Sequence, residues 1–319
     1  MNILLTVLGL LALVLLGLAL FTHRTARRIE SYLPARGRFI DVPGARLHVR
    51  EAGSGPAILL VHGLGGQSAH FDYGVFDTLA RDHRVIAVDR PGSGHSTREE
   101  TTAADVSTQA AALAALIDQL GLGRPTVAGH SLGGAIALTL ALEHPDKVGA
   151  LALVAPLTHL QDTAPDAFRA LTIERPWVRR LFAWTLATPA SIAASKKVLG
   201  AVFGPEAAPR DFAVKGGGLL SLRPRQFLAS SADMQALPGR MPAVQARYPE
   251  LQVPTGVLYG REDAILDWRK NGQALADKVV GARLQLVDGG HMLPVTQPQA
   301  TAEFIAGCAR MAAPLRAAS

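Results

Sequence analysis

Gly-His-Ser-Leu-Gly-Gly, at residues 129–134, has the form G-x-S-x-G and separates an apolar run from an amphipathic one. Residues 125–128 are typical of a short buried strand, and residues 132–142, rich in Ala and Leu, are typical of a helix. A sharp turn between strand and helix strains the backbone and brings neighbouring segments close, which favours small residues on both sides of Ser131. The pattern therefore predicts that Ser131 is presented at a sharp strand-to-helix turn.

The composition indicates a globular protein. The chain has 319 residues, of which 49% are hydrophobic and 18% charged, and this suits one large domain with an insertion. The formal net charge is +6, but the basic residues are scattered without an aromatic and basic stripe, so we predict no nucleic-acid binding. Cys308 is the single cysteine, which excludes an intrachain disulfide framework and a cysteine zinc site. The oligomeric state stays open.

The N-terminus contains a candidate membrane span. Residues 3–21 are apolar apart from one Thr and two Gly, and as a helix they reach roughly 29 Å, close to the thickness of the hydrocarbon core. A cleaved signal peptide is the alternative, but the run is longer than usual, no Lys or Arg precedes it, and no clear cleavage site follows. We therefore predict a transmembrane anchor over residues 1–22 and a polar linker over residues 23–36. The arginines at 24, 27 and 28 favour a folded domain on the cytoplasmic side.

Strand-like and helical segments alternate through most of the remaining chain. A hairpin is predicted at residues 38–50, and buried strands are predicted at 57–61, 84–88, 125–128, 148–154, 255–259 and 283–287. This alternation predicts an α/β fold with a mostly parallel central sheet and helices on both faces. The first part of this domain covers residues 37–155, the second covers 251–313, and a short tail follows at 314–319.

Residues 156–250 break this alternation. Helical pieces, such as residues 167–171 and 177–186, are separated by prolines and by three glycines at 216–218, so we predict an inserted helical cap. The cap contains twelve Lys and Arg against seven Asp and Glu. This charge is compatible with a solvated helical surface or with a face against anionic lipid. Four apolar cap residues are expected to form a pocket roof: Leu181, Phe182, Trp184 and Leu186.

Two common types of cofactor site are missing from the sequence. The glycine-rich run at residues 62–66 matches neither G-x-x-x-x-G-K-[ST] nor G-x-G-x-x-G with a downstream acid, so no nucleotide is predicted. None of the ten histidines lies in an H-E-x-x-H pattern, which disfavours a metal hydrolase. We therefore predict no cofactor and no metal.

Three residues with catalytic side chains each follow a predicted strand: Ser131, Asp263 and His291, in the order Ser, Asp, His. With this order, and with a nucleophile elbow at the serine, the chain resembles the α/β-hydrolase superfamily. The other matching places are the run at residues 62–65 and the run Asp-Arg-Pro-Gly-Ser-Gly-His-Ser at residues 89–96. The resemblance implies an α/β-hydrolase fold with an inserted cap, here preceded by one N-terminal transmembrane helix.

The resemblance implies a role for each residue. A serine hydroxyl needs a base at neutral pH, so His291 would take the proton of Ser131 and return it to the leaving group. Asp263 would hold the imidazole in the right tautomer and stabilise its positive form. By resemblance, the backbone N–H groups of Leu132 and Leu64 form the oxyanion hole for the tetrahedral intermediate.

Neighbouring residues allow other assignments. Asp267 or Glu262 could act as the acid, although the family has its acid just after the strand, where Asp263 is. His130 is expected to pack beside the serine and not to act as a second base. His62 and His95 belong, by resemblance, to loops that shape the oxyanion region, and no chemistry is assigned to them.

The resemblance covers about residues 39–311 and implies hydrolysis of a carboxylic ester. Serine at the elbow excludes the haloalkane dehalogenases and epoxide hydrolases of this fold, which have aspartate there. The elbow looks like that of lipases and carboxylesterases, and a membrane anchor would bring the pocket next to a lipophilic ester or lipid. Carbon-carbon bond hydrolases and cofactor-free perhydrolases share the triad and remain alternatives. A non-catalytic binding protein on this fold is another alternative, although it would be expected to have lost a triad member.

Overall fold

The computed structural model describes residues 2–312, so the predicted tail at 314–319 lies outside the described residues. Within the described range the central sheet contains nine strands. They are β1 Arg38–Val42, β2 Ala45–Ala52, β3 Ala57–Val61, β4 Arg84–Val88, β5 Thr97–Arg98, β6 Thr126–His130, β7 Ala150–Val154, β8 Thr255–Gly260 and β9 Arg283–Val287. The α-helices are α1 Asn2–Tyr32, α2 Val75–Leu79, α3 Val106–Gln119, α4 Leu132–Glu143, α5 Pro176–Thr185, α6 Ala187–Phe203, α7 Pro224–Ala246, α8 Ala274–Ala276, α9 Leu293–Thr296 and α10 Pro298–Met311.

The sheet is mostly parallel. Its strand order is β1-β2-β4-β3-β6-β7-β8-β9, with β5 paired to β2. The pairs made by β1 and β2 are antiparallel, and the pairs from β4 to β9 are parallel. The carboxyl ends of β6, β8 and β9 therefore meet at one edge of the sheet, where the three predicted catalytic residues follow.

Helices cover both faces of the sheet. Leu59 and Val127 belong to a buried apolar cluster with α3 and α4, and their neighbours Ile58 and Ala128 belong to a second cluster with α2 and α10. Side chains of a strand alternate between its two faces, so a strand covered on both sides is apolar at every position. This explains the continuous apolar runs of the central strands, and the predicted fold class is confirmed.

The N-terminal helix is longer than predicted. α1 continues through residues 23–32, so this segment is helical where a linker was predicted. It contains no Gly or Pro, and its Arg, Ala and Glu are good helix formers, so nothing in it ends the helix. Within the described residues, α1 is the one helix long and apolar enough to cross a membrane. Its C-terminal part packs against α5 and the turn Gly218–Leu222, with Thr22 and Ile29 buried.

The cap is inserted between β7 and β8 and contains α5, α6 and α7. α7 is 23 residues long, although prolines were expected to end the helical pieces in this region. Pro238 and Pro242 each remove a backbone donor inside it. Leu237, Met241 and Val244 recur at helical spacing and are buried in the core cluster. Tertiary packing therefore stabilises α7 despite both prolines.

Candidate active site

Ser131 lies at the sharp turn between β6 and α4, with φ 53° and ψ −122°. A positive φ is rare for a residue with a side chain, so surrounding contacts have to hold it. The N–H of Ser131 donates to the carbonyl of Val154 at 3.1 Å, and its carbonyl accepts from the N–H of Leu157 at 2.9 Å. A Cβ on Gly129 or Gly133 would overlap neighbouring backbone. The small residues that flank the serine are thus required by close packing at the turn.

Asp263, which follows β8, is hydrogen bonded to His291, which follows β9. A carboxylate only accepts hydrogen bonds, so Nδ1 of His291 carries the proton and donates to Oδ2 of Asp263 at 2.7 Å, with both side chains buried. The other carboxylate oxygen, Oδ1, accepts from the backbone N–H groups of Ile265 at 2.8 Å and Leu266 at 2.9 Å. Three donors around one carboxylate fix its orientation.

The other two candidate acids have different contacts. The carboxylate of Asp267 accepts from the backbone N–H of Arg269, two residues later, at 2.8 Å. Glu262 accepts from the N–H of Gly289 at 2.7 Å. Among these three acids, which all belong to the described part of the chain, Asp263 alone is hydrogen bonded to His291.

His130 connects the serine turn to the His291 loop. Its Nε2–H donates to the backbone carbonyl of His291 at 3.0 Å, and the two ring centroids are 5.0 Å apart. Burial, with a smaller contribution from the neighbouring His291, lowers the pKa of His130 well below the usual histidine value. A neutral His130 therefore ties the His291 loop to the turn that carries Ser131.

The loop after β3 approaches the serine closely. A Cβ on Gly63 would lie 2.8 Å from Cβ and 3.3 Å from Oγ of Ser131, so only glycine leaves room for the hydroxyl. Leu64, the next residue, and Leu132, the first residue of α4, line one cavity together with Ser131. The two predicted oxyanion-hole residues therefore border the same space as the serine.

A buried arginine holds the loop that contains Gly63. Arg90 donates from Nε to the carbonyl of His62 at 3.0 Å and from Nη2 to the carbonyl of Gly63 at 3.1 Å. Its Nη1 donates to Oδ2 of Asp233 at 2.8 Å, with both side chains fully buried. Asp233 also pairs with Arg98 at 2.8 Å. Because Asp233 lies in α7, a buried ion pair ties the loop beside the serine to the cap.

The Arg90–Asp233 pair was not predicted. The run at residues 89–96 indicated a structural loop, but nothing in the sequence connects it to a residue 143 positions further on. His62 belongs to the same cluster: its Nε2 accepts from the N–H of Arg90 at 2.9 Å, and its Nδ1–H donates to the Gly63 carbonyl at 2.8 Å. Both ring nitrogens of His62 are thus occupied by hydrogen bonds within these two loops.

Asp89 organises the second loop of this region. Its Oδ1 accepts from the N–H of Ser68 at 2.7 Å, and its Oδ2 accepts from the N–H of His95 at 2.8 Å and from Nδ1 of His48 at 2.9 Å. Asp89 is buried. His95 is therefore part of the network that holds these loops together.

The cavity at Ser131 has a volume of about 230 Å³. Most of its wall is apolar and comes from the cap, including Leu160 and Phe168 from the segment before α5 and Met234 and Leu237 from α7. The charged lining residue is Glu174, and among the described residues no Lys or Arg lines the cavity. The space therefore suits an uncharged, apolar group.

The four residues expected to form the roof lie elsewhere. α5 turns Ala183 and Thr185 inward, and Leu181, Trp184 and Leu186 are exposed. The ring of Phe182 packs against the ring of Phe227, with centroids 5.3 Å apart. An apolar stripe predicts a helix face that avoids water, but it does not tell which surface that face meets.

A further cap residue reaches the His291 loop. The N–H of Gly290 donates to Oε2 of Glu206 at 3.0 Å. A Cβ on Gly290 would overlap the carbonyl of Gly204. The cap segment 204–206 thus packs directly against the turn that carries His291.

The described part of the chain contains no candidate metal site. Across residues 2–312, no group of three or more His, Cys, Asp or Glu side chains is arranged to hold a metal ion. The expectation of a reaction without cofactor or metal stays a prediction.

Comparison with curated proteins gives partial and full-length matches. A protein of Mycobacterium tuberculosis without an assigned function is 41% identical over 133 residues, and the match spans 41% of the chain but only 38% of the relative. A protein of Pseudomonas savastanoi pv. phaseolicola described as a carbamate hydrolase is 27% identical over 258 residues, which is 79% of the chain and 93% of the relative.

Comparison with solved structures and with protein families agrees on the fold. The crystal structure of a membrane phospholipase A, described as a bacterial virulence factor, is 25% identical with a TM-score of 0.67, and the match covers 96% of each chain. The family described as the alpha/beta hydrolase fold matches residues 56–298, well over half of the sequence. This chain therefore belongs to the alpha/beta hydrolase fold family.

Proposed function

We propose that this chain is a serine hydrolase that cleaves neutral, lipophilic carboxylic esters beside a membrane. Ser131 is the nucleophile, His291 the general base and acid, and Asp263 the residue that fixes the tautomer of His291. The hydrogen bond between Asp263 and Nδ1 of His291 carries the proposal. With the proton on Nδ1, the other ring nitrogen, Nε2, is available to accept the proton of the serine hydroxyl.

The reaction proceeds through an acyl-enzyme. Oγ of Ser131 attacks the ester carbonyl while His291 takes its proton, and the tetrahedral intermediate then expels the alcohol, which receives that proton. A water molecule then attacks the acyl-enzyme, with His291 again as the base, which releases the acid and restores the serine. The N–H groups of Leu132 and Leu64 stabilise the oxyanion in both halves, and loss of one such donor costs about 3 kcal/mol of barrier.

The contacts of Arg90 support the oxyanion role of Leu64. Arg90 and the Nδ1–H of His62 both donate to the carbonyl of Gly63. The peptide between Gly63 and Leu64 is planar and trans, so its N–H points in the direction opposite to that carbonyl. A carbonyl held toward Arg90 therefore keeps the N–H of Leu64 turned away from Arg90 and preorganised before substrate arrives.

The lining of the cavity supports a neutral substrate. A carboxylate on the acyl group would enter a space that contains Glu174 and, among the described residues, no cationic side chain, so it would lose hydration without gaining a partner. This disfavours any substrate that carries a carboxylate on the part that enters the cavity. An apolar acyl chain instead gains up to about 0.8 kcal/mol for each methylene that becomes buried.

The packing of α1 supports an anchor that is retained. The hydroxyl of Thr22 donates to the carbonyl of Thr185 at 3.3 Å, and Oε1 of Glu30 lies 3.5 Å from Nη1 of Arg223. A signal peptidase acting within residues 22–30 would cut a helix that is packed against the cap. We infer that residues 3–21 remain attached as a membrane span, and the arginines that follow them favour the cytoplasmic side for the catalytic domain.

The test compares full-length protein with two serine variants in mild detergent. The substrates are p-nitrophenyl esters from acetate to decanoate, and a fluorophosphonate probe labels the reactive serine. Ser131→Ala should abolish labelling and lower kcat by at least about 10³-fold. Ser107→Ala, which removes an exposed hydroxyl that donates to Glu143, should leave both unchanged. Normal esterase turnover by folded Ser131→Ala would exclude the serine mechanism.

The same preparation distinguishes the alternatives. A carbamate, a ring-cleavage dienoate, and acetate with hydrogen peroxide are assayed beside the esters. If any of these compounds were turned over faster than the best ester, the ester assignment would be wrong and the assignment of the triad would still stand.

The anchor is tested separately. Full-length protein should stay in the membrane fraction after a carbonate wash, and a soluble form that starts near residues 22–30 would contradict the anchor.

A further inference from the structure

Large apolar side chains of the cap are exposed to solvent along one side of α5. Trp177, Leu181 and Trp184 recur at helical spacing and are 66%, 48% and 41% exposed. Leu186 and Ile192, which follow, are also exposed. We call these five residues the cap apolar face. It contains two of the three tryptophans in the chain, and exposed apolar patches of this kind mark surfaces that meet a partner or a membrane.

Neither the core nor the substrate cavity accounts for this face. The buried side of α5 consists of Ala183 and Thr185. The cavity at Ser131 is bordered instead by residues such as Phe168 and Leu237. The side chains of the cap apolar face therefore point away from both.

The position of α1 determines what the cap apolar face meets. α1 packs against α5, and the hydroxyl of Thr22 donates to the carbonyl of Thr185. Thr22 is the first residue after the apolar run at 3–21. The C-terminal end of α5, with Trp184 and Leu186, therefore lies at the level where a membrane span would leave the hydrocarbon core.

We propose that the cap apolar face is embedded in the membrane interface beside α1, with phospholipid as its partner. Tryptophan prefers this depth because its ring is apolar and its N–H is polar. Exposed basic residues lie near the face in sequence, Arg180 on α5 and Lys196 and Lys197 on α6. Apolar and basic side chains together are typical of helices that lie in an interface containing anionic lipid. The proposal rests on α1 as the retained anchor.

The cap apolar face is directly connected to the cavity wall. Glu174 and Thr172, which line the cavity, precede the first residue of α5 by two and four positions. A helix fixed in the interface would hold this wall next to the acyl-chain region of the bilayer. A lipophilic ester could then pass from the membrane to Ser131 with a short path through water.

Tryptophan quenching by brominated lipid tests the placement in the full-length protein. The protein is reconstituted into phosphatidylcholine and phosphatidylglycerol vesicles with bromine near the headgroup end of the acyl chains. Trp177→Phe with Trp268→Phe leaves Trp184 as the reporter, and Trp177→Phe with Trp184→Phe leaves Trp268 as the matched control. Trp268 lies outside the cap and stacks with Arg269. Quenching of Trp184 should exceed that of Trp268 at least about twofold.

Activity provides the second measurement. Leu181→Ser with Trp184→Ser should lower hydrolysis of a long-chain ester embedded in vesicles by about fivefold or more. Hydrolysis of soluble p-nitrophenyl acetate should change by less than about twofold, since neither residue lines the cavity. Val280→Ser, at an exposed apolar residue outside the cap, should change neither rate.

Two outcomes would overturn the placement while leaving the esterase and its anchor intact. One is protein retained in carbonate-washed membranes in which Trp184 is quenched no more than Trp268. The other concerns the protein in detergent: if an aqueous quencher reached Trp184 less well as the protein concentration rose, a second copy of the chain would be covering the face. Release of wild-type protein by carbonate would instead contradict the anchor itself.

Discussion

Asp263→Asn should lower kcat by about 10⁴-fold, or about 5.5 kcal/mol of barrier, while leaving the protein folded. The change keeps the size and shape of the side chain and removes one charge. It therefore tests the contribution of Asp263 to the tautomer of His291 without creating a cavity.

The two backbone contacts of Asp263 determine how an asparagine would be oriented. Oδ1 accepts from the N–H groups of Ile265 at 2.8 Å and Leu266 at 2.9 Å, so this position can hold only the carbonyl oxygen of an amide. The NH₂ group then faces Nδ1 of His291, where Oδ2 accepts at 2.7 Å in the native chain. Nδ1 must become an acceptor, the ring proton moves to Nε2, and Nε2 can no longer accept the proton of Ser131.

The assay is steady-state hydrolysis of p-nitrophenyl butyrate between pH 6 and 10, with thermal unfolding measured in parallel. Because the substrate cavity is unchanged, KM should stay within about threefold. Asp267→Asn is the matched control, since within the described structure the carboxylate of Asp267 accepts only from the backbone N–H of Arg269. Its kcat should change by less than about twofold.

Two results would refute the reasoning. If Asp263→Asn retained kcat within tenfold of wild type, the tautomer of His291 would not depend on Asp263. If Asp267→Asn or Glu262→Gln produced the large loss instead, the acid would have been assigned to the wrong residue.

Three other predictions concern the cap, α1 and the buried histidines. Glu206→Ala should lower kcat by about three- to tenfold at nearly constant KM, because it removes the acceptor for the N–H of Gly290 beside His291. Glu30→Ala should lower the free energy of unfolding by about 1 kcal/mol, because it leaves the buried guanidinium of Arg223 without its carboxylate. Burial lowers the pKa of His70 to about 4, so the unfolded chain binds a proton below about pH 6.5 that the folded chain does not, and stability should fall as the pH drops from 6.5 toward 4. For His70 the loss between pH 7.5 and 5.5 is about 1 kcal/mol by urea unfolding, and His70→Gln should flatten this dependence.

Controls for these predictions use exposed groups of the same type. Glu303→Ala, which removes an exposed acceptor for Gln299, should not change kcat. Glu100→Ala, which removes an exposed partner of Arg180 at 3.4 Å, should not change the unfolding free energy. An unchanged kcat in Glu206→Ala would mean that the cap does not help to position the histidine loop. A pH dependence of His70→Gln as steep as that of wild type would assign the proton uptake to other groups.

Local patterns were sufficient for the architecture and for the positions of the candidate catalytic residues. Strand β3 was predicted at its observed bounds, because a continuous apolar run is a local feature of the sequence. Ser131, Asp263 and His291 could be named because each lies within four residues of the end of a strand, and parallel strands bring their carboxyl ends to one edge.

Patterns failed where contacts between distant segments outweighed local preference. Prolines in α7 suggested breaks, yet burial of one apolar side keeps the helix continuous. The segment after the apolar run at residues 3–21 is polar enough for a linker, but it remains helical and packs on the cap.

By itself the sequence determined the α/β alternation, the glycine-flanked serine and the presence of three acids near the last strands. Only the tertiary structure decided that Asp263 contacts His291, that Arg90 binds Asp233 across 143 residues, and that Trp184 faces outward. Periodicity reports which side of an element avoids water, a property of a few consecutive residues. Which partner meets that side depends on how elements far apart in the chain pack, and no local pattern contains that information.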